Sequence, residues 1–194
     1  MKLWAVIPVK PAEDGKSRLA GVLTLGQRIC LNRRLFRHTL GIVCAVLSPE
    51  RVLVVSRDPA LLGIAAAAGA HPLTEHGGDL NQALRQAADF PQLTGGLLAI
   101  SADLPRLTAD DLHAMLAEPA AVTIAPDRQG KGTNALLTTP AACIPYCFGE
   151  NSFALHCAEA ARKNLTPRII SRSGLAFDLD TPEDLRAHPE LIFD

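Results

Sequence analysis

Short, almost uninterrupted apolar runs alternate with longer amphipathic stretches along nearly the whole chain, and this alternation limits the fold more than any single residue. Leu3-Trp4-Ala5-Val6-Ile7-Pro8-Val9, Arg51 to Ser56 and Leu97 to Asp103 are too short for helices and too continuous for strands with a wet face. They read as strands buried on both sides. A shorter strand is expected near His71-Pro72-Leu73, and two more, Ala121 to Ala125 and Ala135 to Thr138, around a Gly-containing turn. Leu175 to Asp180 is expected to close the sheet. Helix patterns fill the intervals at about 26–45, 59–68, 80–90, from 108, and 151–163, with a short final helix after Thr181-Pro182. Parallel strands need such crossovers, so the reading is an α/β layered fold with a mainly parallel sheet. The 194 residues fit one domain, 1–194. A chain of this length buries roughly 70% of its unfolded surface, enough for helices on both faces.

Composition removes several function classes. The 19 Lys and Arg against 20 Asp and Glu leave no basic field of the kind nucleic acid requires. No apolar run reaches bilayer length, and the N-terminus enters a strand without a signal-peptide pattern, so a cytoplasmic protein without membrane contact is expected. The five cysteines form no CxxC pair and read as reduced thiols, with Cys143 and Cys147 as packing residues. The Ala/Leu-rich helices leave a homodimer face or a contact with a downstream transferase open.

Three aspartates carry the strongest chemical signal. Asp103 follows one apolar run, and Asp178 and Asp180 end another. Carboxylates at strand C-termini lie where open α/β sheets bind ligands, and three suit a hard divalent cation that also holds phosphate oxygens. The first βα loop, Lys10 to Ala20, supplies cations where a nucleotide turn would sit. Neither GxGxxG nor a full P-loop is present, but Lys16 and Arg18 are placed to neutralise phosphate oxygens. As a solvated charged loop the same segment would do nothing.

Two polar turns are further anion candidates. Gly132 and Thr133 sit in Asp127-Arg128-Gln129-Gly130-Lys131-Gly132-Thr133-Asn134, which is otherwise an ordinary hairpin loop. Gly149 and Ser152 flank a helix start, where Ser152 is equally a capping residue. Asp79 and Asn81 either cap the next helix or read a base edge. Thr181-Pro182-Glu183-Asp184 reads as a helix start, with Asp184 a capping and dipole residue, and Asp180 could itself be the cap. The scattered histidines, His156 included, suggest no general base.

Seven segments in order resemble the CofC/FbiD family of phospholactate-type guanylyltransferases: IPVKPAEDGKSRLA at 7–20, LVVSRD at 53–58, DLNQAL at 79–84, ISADLPRLTADDL at 100–112, APDRQGKGTNALL at 125–137, FGENSFALH at 148–156 and FDLDTPEDL at 177–185. The resemblance implies a three-layer, Rossmann-like nucleotidyltransferase fold of the GT-A type with a mainly parallel mixed sheet. It implies transfer of the guanylyl group of GTP to a phosphorylated three-carbon acid with release of pyrophosphate, a step toward coenzyme F-420. Such acids are 2-phospho-L-lactate, phosphoenolpyruvate and 3-phospho-D-glycerate. By the same resemblance Asp103, Asp178 and Asp180 are expected to bind Mg2+, Asp103 with Lys16 and Arg18 to serve catalysis, and Thr133, Gly149 and Ser152 to hold the acceptor's carboxylate. Pro8, Lys10, Lys16, Arg18, Asp79 and Asn81 fall around GTP. Asn151 departs from the pattern, standing where a small residue is expected. Three alternatives stay open. One is a molybdopterin or sugar-phosphate nucleotidyltransferase, although their GGxSxRMG-like first loop is absent. The others are a metal-dependent phosphatase and a non-catalytic nucleotide-binding domain.

Overall fold

The computed structural model describes residues 2–118 and 120–188. In chain order they form β1 (Leu3–Pro8), α1 (Leu25–Leu47), β2 (Val52–Ser56), α2 (Pro59–Ala67), β3 (His71–Thr74), α3 (Leu80–Ala88), β4 (Gly96–Ile100) and α4 (Ala109–Leu116). There follow β5 (Val122–Pro126), β6 (Thr133–Thr138), α5 (Ser152–Arg162), β7 (Arg168–Ile169), α6 (Ser173–Ala176) and α7 (Pro182–Arg186). The strands make one sheet in the order β3-β2-β1-β4-β6-β5-β7. Every pairing is parallel except those of β6, which runs antiparallel to both β4 and β5. This is the mixed, mainly parallel α/β sheet that the alternation implied.

Strand parity builds the layers. Ala5 and Ile7 of β1, Val52 and Val54 of β2 and Leu98 and Ile100 of β4 face a core shared with Phe36, Leu40 and Val43 of α1, Leu61 of α2 and Leu112 of α4. The alternate residues Trp4, Val6, Leu53, Val55, Leu97 and Ala99 face a second core with Ala83, Leu84 and Ala87 of α3 and Ala160 of α5. Both faces are covered, so the strands are apolar throughout. Several helix starts are fixed by local side chains. Thr24 with Gln27, Thr108 with Asp111, and Thr181 with Asp184 each form a capping box. Asp58 caps α2 ahead of Pro59.

One expected strand is absent. Leu175 and Ala176 end α6, and Phe177 to Asp180 is irregular, while the two-residue β7 takes the outer place beside β5. The segment still alternates, with Phe177 and Leu179 buried and Asp178 and Asp180 half-buried. Its polar backbone groups, however, are satisfied one at a time rather than by a ladder: Leu179 N–H by the Asp103 carbonyl, and the Ala176 and Leu175 carbonyls by Arg128 N–H and the Asn134 amide. Phe177 and Leu179 enter a third apolar cluster with Leu19, Leu23, Leu31, Leu35 and Leu185. Burial alone produced the strand-like pattern.

Candidate active site

The strand order reverses direction at β1, whose neighbours are β2 on one side and β4 on the other. A cavity of about 670 Å³ opens there, over Pro8 of β1, Val55 of β2 and Ile100 of β4. Crevices at the C-terminal ends of strands at such a switch point are the usual ligand sites of open α/β sheets. The first loop forms one wall, and it is tied down. Asn32 of α1 donates to the Ala12 carbonyl at 2.6 Å, Arg28 donates to the Gly15 carbonyl at 3.0 Å, and Asp58 accepts from Ala12 N–H at 3.1 Å. Gly15 is pressed against Asn32 so closely that an added Cβ would lie 2.5 Å from the amide nitrogen. Lys16, at φ 56°, then turns its side chain inward.

Lys16 Nζ lies 2.5 Å from Asp103 Oδ2 and 3.0 Å from Asp180 Oδ1, with only 6% of the side chain exposed. Burial by itself would lower the ammonium's pKa, but the charges and hydrogen bonds of Asp103 and Asp180 overcome it and hold the group above its ordinary range. Arg18, mostly exposed, reaches Asp180 Oδ2 at 3.4 Å. Asp178 is raised by burial first and then by the neighbouring charges of Asp103 and Asp180, against a hydrogen bond from Asn134. The structure therefore brings Asp103, Asp178 and Asp180 together although the first two stand 75 positions apart in the chain. The bond from Leu179 N–H to the Asp103 carbonyl, at 3.2 Å, and the third apolar cluster make that juxtaposition.

Among the described residues no three acidic, imidazole or thiol side chains close around a single point as a complete cation cage. Mg2+ is commonly held by one or two carboxylates with phosphate oxygens completing its shell, a part that these aspartates could take.

Pro8, Lys10, Asp79 and Asn81 line the same cavity, as does Gly149. Asp79 accepts from Gln82 N–H at 3.0 Å and so caps α3. Asn81 is engaged on both sides of its amide by the backbone of Phe148, at 2.8 and 3.0 Å. Thr133 and Ser152 are buried. Thr133 Oγ1 meets His156 Nδ1 at 3.0 Å, while His156 Nε2 accepts from Cys147 N–H at 3.0 Å. Because Nε2 accepts, Nδ1 carries the proton and donates to Thr133. Burial lowers the His156 pKa to about 4. The imidazole is thus a neutral core group joining β6 to the turn before Gly149. Phe153 N–H donates to the Lys131 carbonyl at 3.0 Å, tying the start of α5 to the hairpin loop. Asn151 has φ 56°, a left-handed conformation that Asn tolerates. Its side chain makes no cap bond.

Asp184 does what its position in the sequence suggested. Burial opposes its charge, but Asp180 N–H, Thr181 N–H and Arg128 outweigh that and lower its pKa. The cap of α7 is Thr181, not Asp180. Asn134, Asn32 and Arg28 escaped the sequence reading. Asn134 was detectable as an amide inside a buried strand, and Arg28 and Asn32 as polar residues one helical turn apart. Cys143 and Cys157 pack against the second core, and burial raises both thiols. No helix among the described residues is long and apolar enough to cross a membrane.

A family model described as "Guanylyl transferase CofC like" matches residues 3–192. A phosphoenolpyruvate guanylyltransferase of Rubrobacter xylanophilus is 40% identical over 190 residues, covering 95% of this chain and 92% of its own. A 2-phospho-L-lactate guanylyltransferase of Methanocaldococcus infernus is 33% identical, covering 93% and 81%. The solved structure of 4-diphosphocytidyl-2C-methyl-D-erythritol synthase superposes with a TM-score of 0.63 at 15% identity, covering 99% of each chain. That last likeness is one of fold.

Proposed function

The chain belongs to the CofC-like guanylyl transferase family, and we propose that it joins GTP to a phosphorylated three-carbon acid, releasing pyrophosphate, in the biosynthesis of coenzyme F-420. The observation that carries this reading is the meeting of Lys16 with Asp103 and Asp180 at the mouth of the switch-point cavity. It sets cationic and anionic groups where a triphosphate and its counter-ion would lie. Phosphoenolpyruvate is the first acid to assay, since it is named for the relative at 40% identity. 2-Phospho-L-lactate and 3-phospho-D-glycerate follow.

In this reaction an acceptor phosphate oxygen forms a bond to the α-phosphorus of GTP, and the α–β bridging bond breaks with pyrophosphate as the leaving group. An ionised phosphate needs no base to deprotonate it, in keeping with a buried His156 already committed to Thr133 and Cys147. Lys16 and Arg18 draw and orient the triphosphate, and positioning of this kind supplies much of the rate in phosphoryl transfer. Thr133, Gly149 and Ser152 hold the acceptor's carboxylate. Mg2+ held by Asp103, Asp178 and Asp180 would neutralise the crowded phosphate oxygens.

Pyrophosphate release from GTP, measured with each acid and followed by mass spectrometry of the product, tests the reading. A guanosine diphosphate adduct of one acid is the expected result. Inorganic phosphate as the product, or GTP binding without transfer to any acid, would sink it.

A further inference from the structure

The phosphate end of the cavity lies at β1 and β4. The residues that follow β2 and β3, Arg57 and Glu75, also line it, farther along the sheet. Glu75 N–H donates to the Ser56 carbonyl at 3.0 Å, extending the β2–β3 pairing by one bond and fixing where the side chain starts. The Glu75 side chain is 11% exposed, and Arg57 Nε stands 3.7 Å from Oε2, beyond hydrogen-bond distance. Among the described residues the carboxylate accepts no hydrogen bond. Other carboxylates along the cavity are occupied or elsewhere: Asp79 caps α3, Asp103 and Asp180 hold Lys16, and Asp14 belongs to the first loop. The Glu75 side chain is mostly covered, and its carboxylate, paired only at a distance with Arg57, lines the cavity where it can accept a ligand's donors.

We propose that Glu75 reads the base of the nucleotide, accepting hydrogen bonds from N1–H and the N2 amino group of guanine, with Arg57 steadying the carboxylate from its other side. Guanine presents two adjacent donors on its Watson–Crick edge, and one carboxylate can meet both. Adenine and cytosine place an acceptor lone pair beside their donor, which a carboxylate repels. The inference rests on the guanylyl-transfer reading for its choice of nucleotide, and it adds the residue that selects the base.

Equilibrium binding of GTP, ITP and ATP to the full chain, with Mg2+ and without acceptor, tests it. ITP lacks the N2 amino group and so isolates one of the two bonds. A hydrogen bond to a charged group contributes about 1.5–3 kcal/mol, so the native protein should prefer GTP over ITP by about 10- to 100-fold. Glu75→Gln, which keeps size and shape, should bring GTP to within about threefold of ITP. Equal losses for GTP and ITP would overturn the proposal, as would loss of the preference in Asp79→Asn with Glu75→Gln unchanged. Because no acceptor is present, a protein that binds GTP selectively but transfers it to no acid would overturn the reaction alone. Loss of selectivity in Glu75→Gln would still support the base contact.

Discussion

Lys16 is the residue through which the two halves of the site are joined. It comes from the first loop, yet its ammonium rests on carboxylates delivered by the segments after β4 and α6. Its left-handed backbone at φ 56° costs about 1 kcal/mol for a residue with a Cβ. The loop accepts that cost because Arg28, Asn32 and Asp58 fix its carbonyls and amides. Lys16→Met should therefore fold, and kcat/KM for GTP should fall by about 10²- to 10³-fold, the scale of losing a preplaced charge at developing phosphate charge. Steady-state kinetics beside circular dichroism reads both. Asp103→Asn should lower kcat by a comparable factor and raise the Mg2+ concentration for half-maximal rate. A near-native rate with unchanged metal dependence would remove Asp103 from the mechanism.

At the scale of elements, α3 does more than cover the sheet. Asn81, in its first turn, holds both the N–H and the carbonyl of Phe148, 67 positions away in sequence, and so fixes the turn that presents Gly149 to the cavity. Asn81→Ala leaves two part-buried backbone groups unpaired, a loss of about 1–3 kcal/mol. Urea denaturation should show it, and the KM for the acceptor should rise more than the KM for GTP. A larger rise in the KM for GTP would make Asn81 a nucleotide contact instead. Local signals such as the Thr108 and Asp79 caps were legible because partner and cap lie within three residues. The long-range duty of Asn81 was not, since nothing in DLNQAL names a backbone so far away. The 177–180 segment misled for a related reason. Alternating burial looks the same whether the backbone joins a ladder or is satisfied piecemeal.

The molecule as a whole shows what pattern can and cannot supply. Layering follows from strand parity alone, so the α/β sheet was readable, whereas the meeting of Asp103 with Asp178 and Asp180 depends on scattered long-range contacts, among them the Leu179–Asp103 backbone bond and a small leucine-rich cluster. Global stability carries a mark of the same economy. His156 is fully buried and neutral, with its pKa lowered from 6.5 to about 4. Between those values the unfolded chain binds a proton that the folded chain does not, so stability falls as the pH drops from 6.5 toward 4. The slope approaches about 1.4 kcal/mol per pH unit, and the whole loss is about 3 kcal/mol. Asp184 acts in a separate window. Its lowered folded pKa stabilises above the ordinary carboxylate value, and that contribution disappears at more acid pH. His156→Gln can still accept a hydrogen bond and donate one, so it should fold with somewhat lower stability and without the slope between pH 6.5 and 4. Urea unfolding of both proteins across that range decides the matter. Curves that stay parallel would mean that His156 is not the group whose protonation opposes folding.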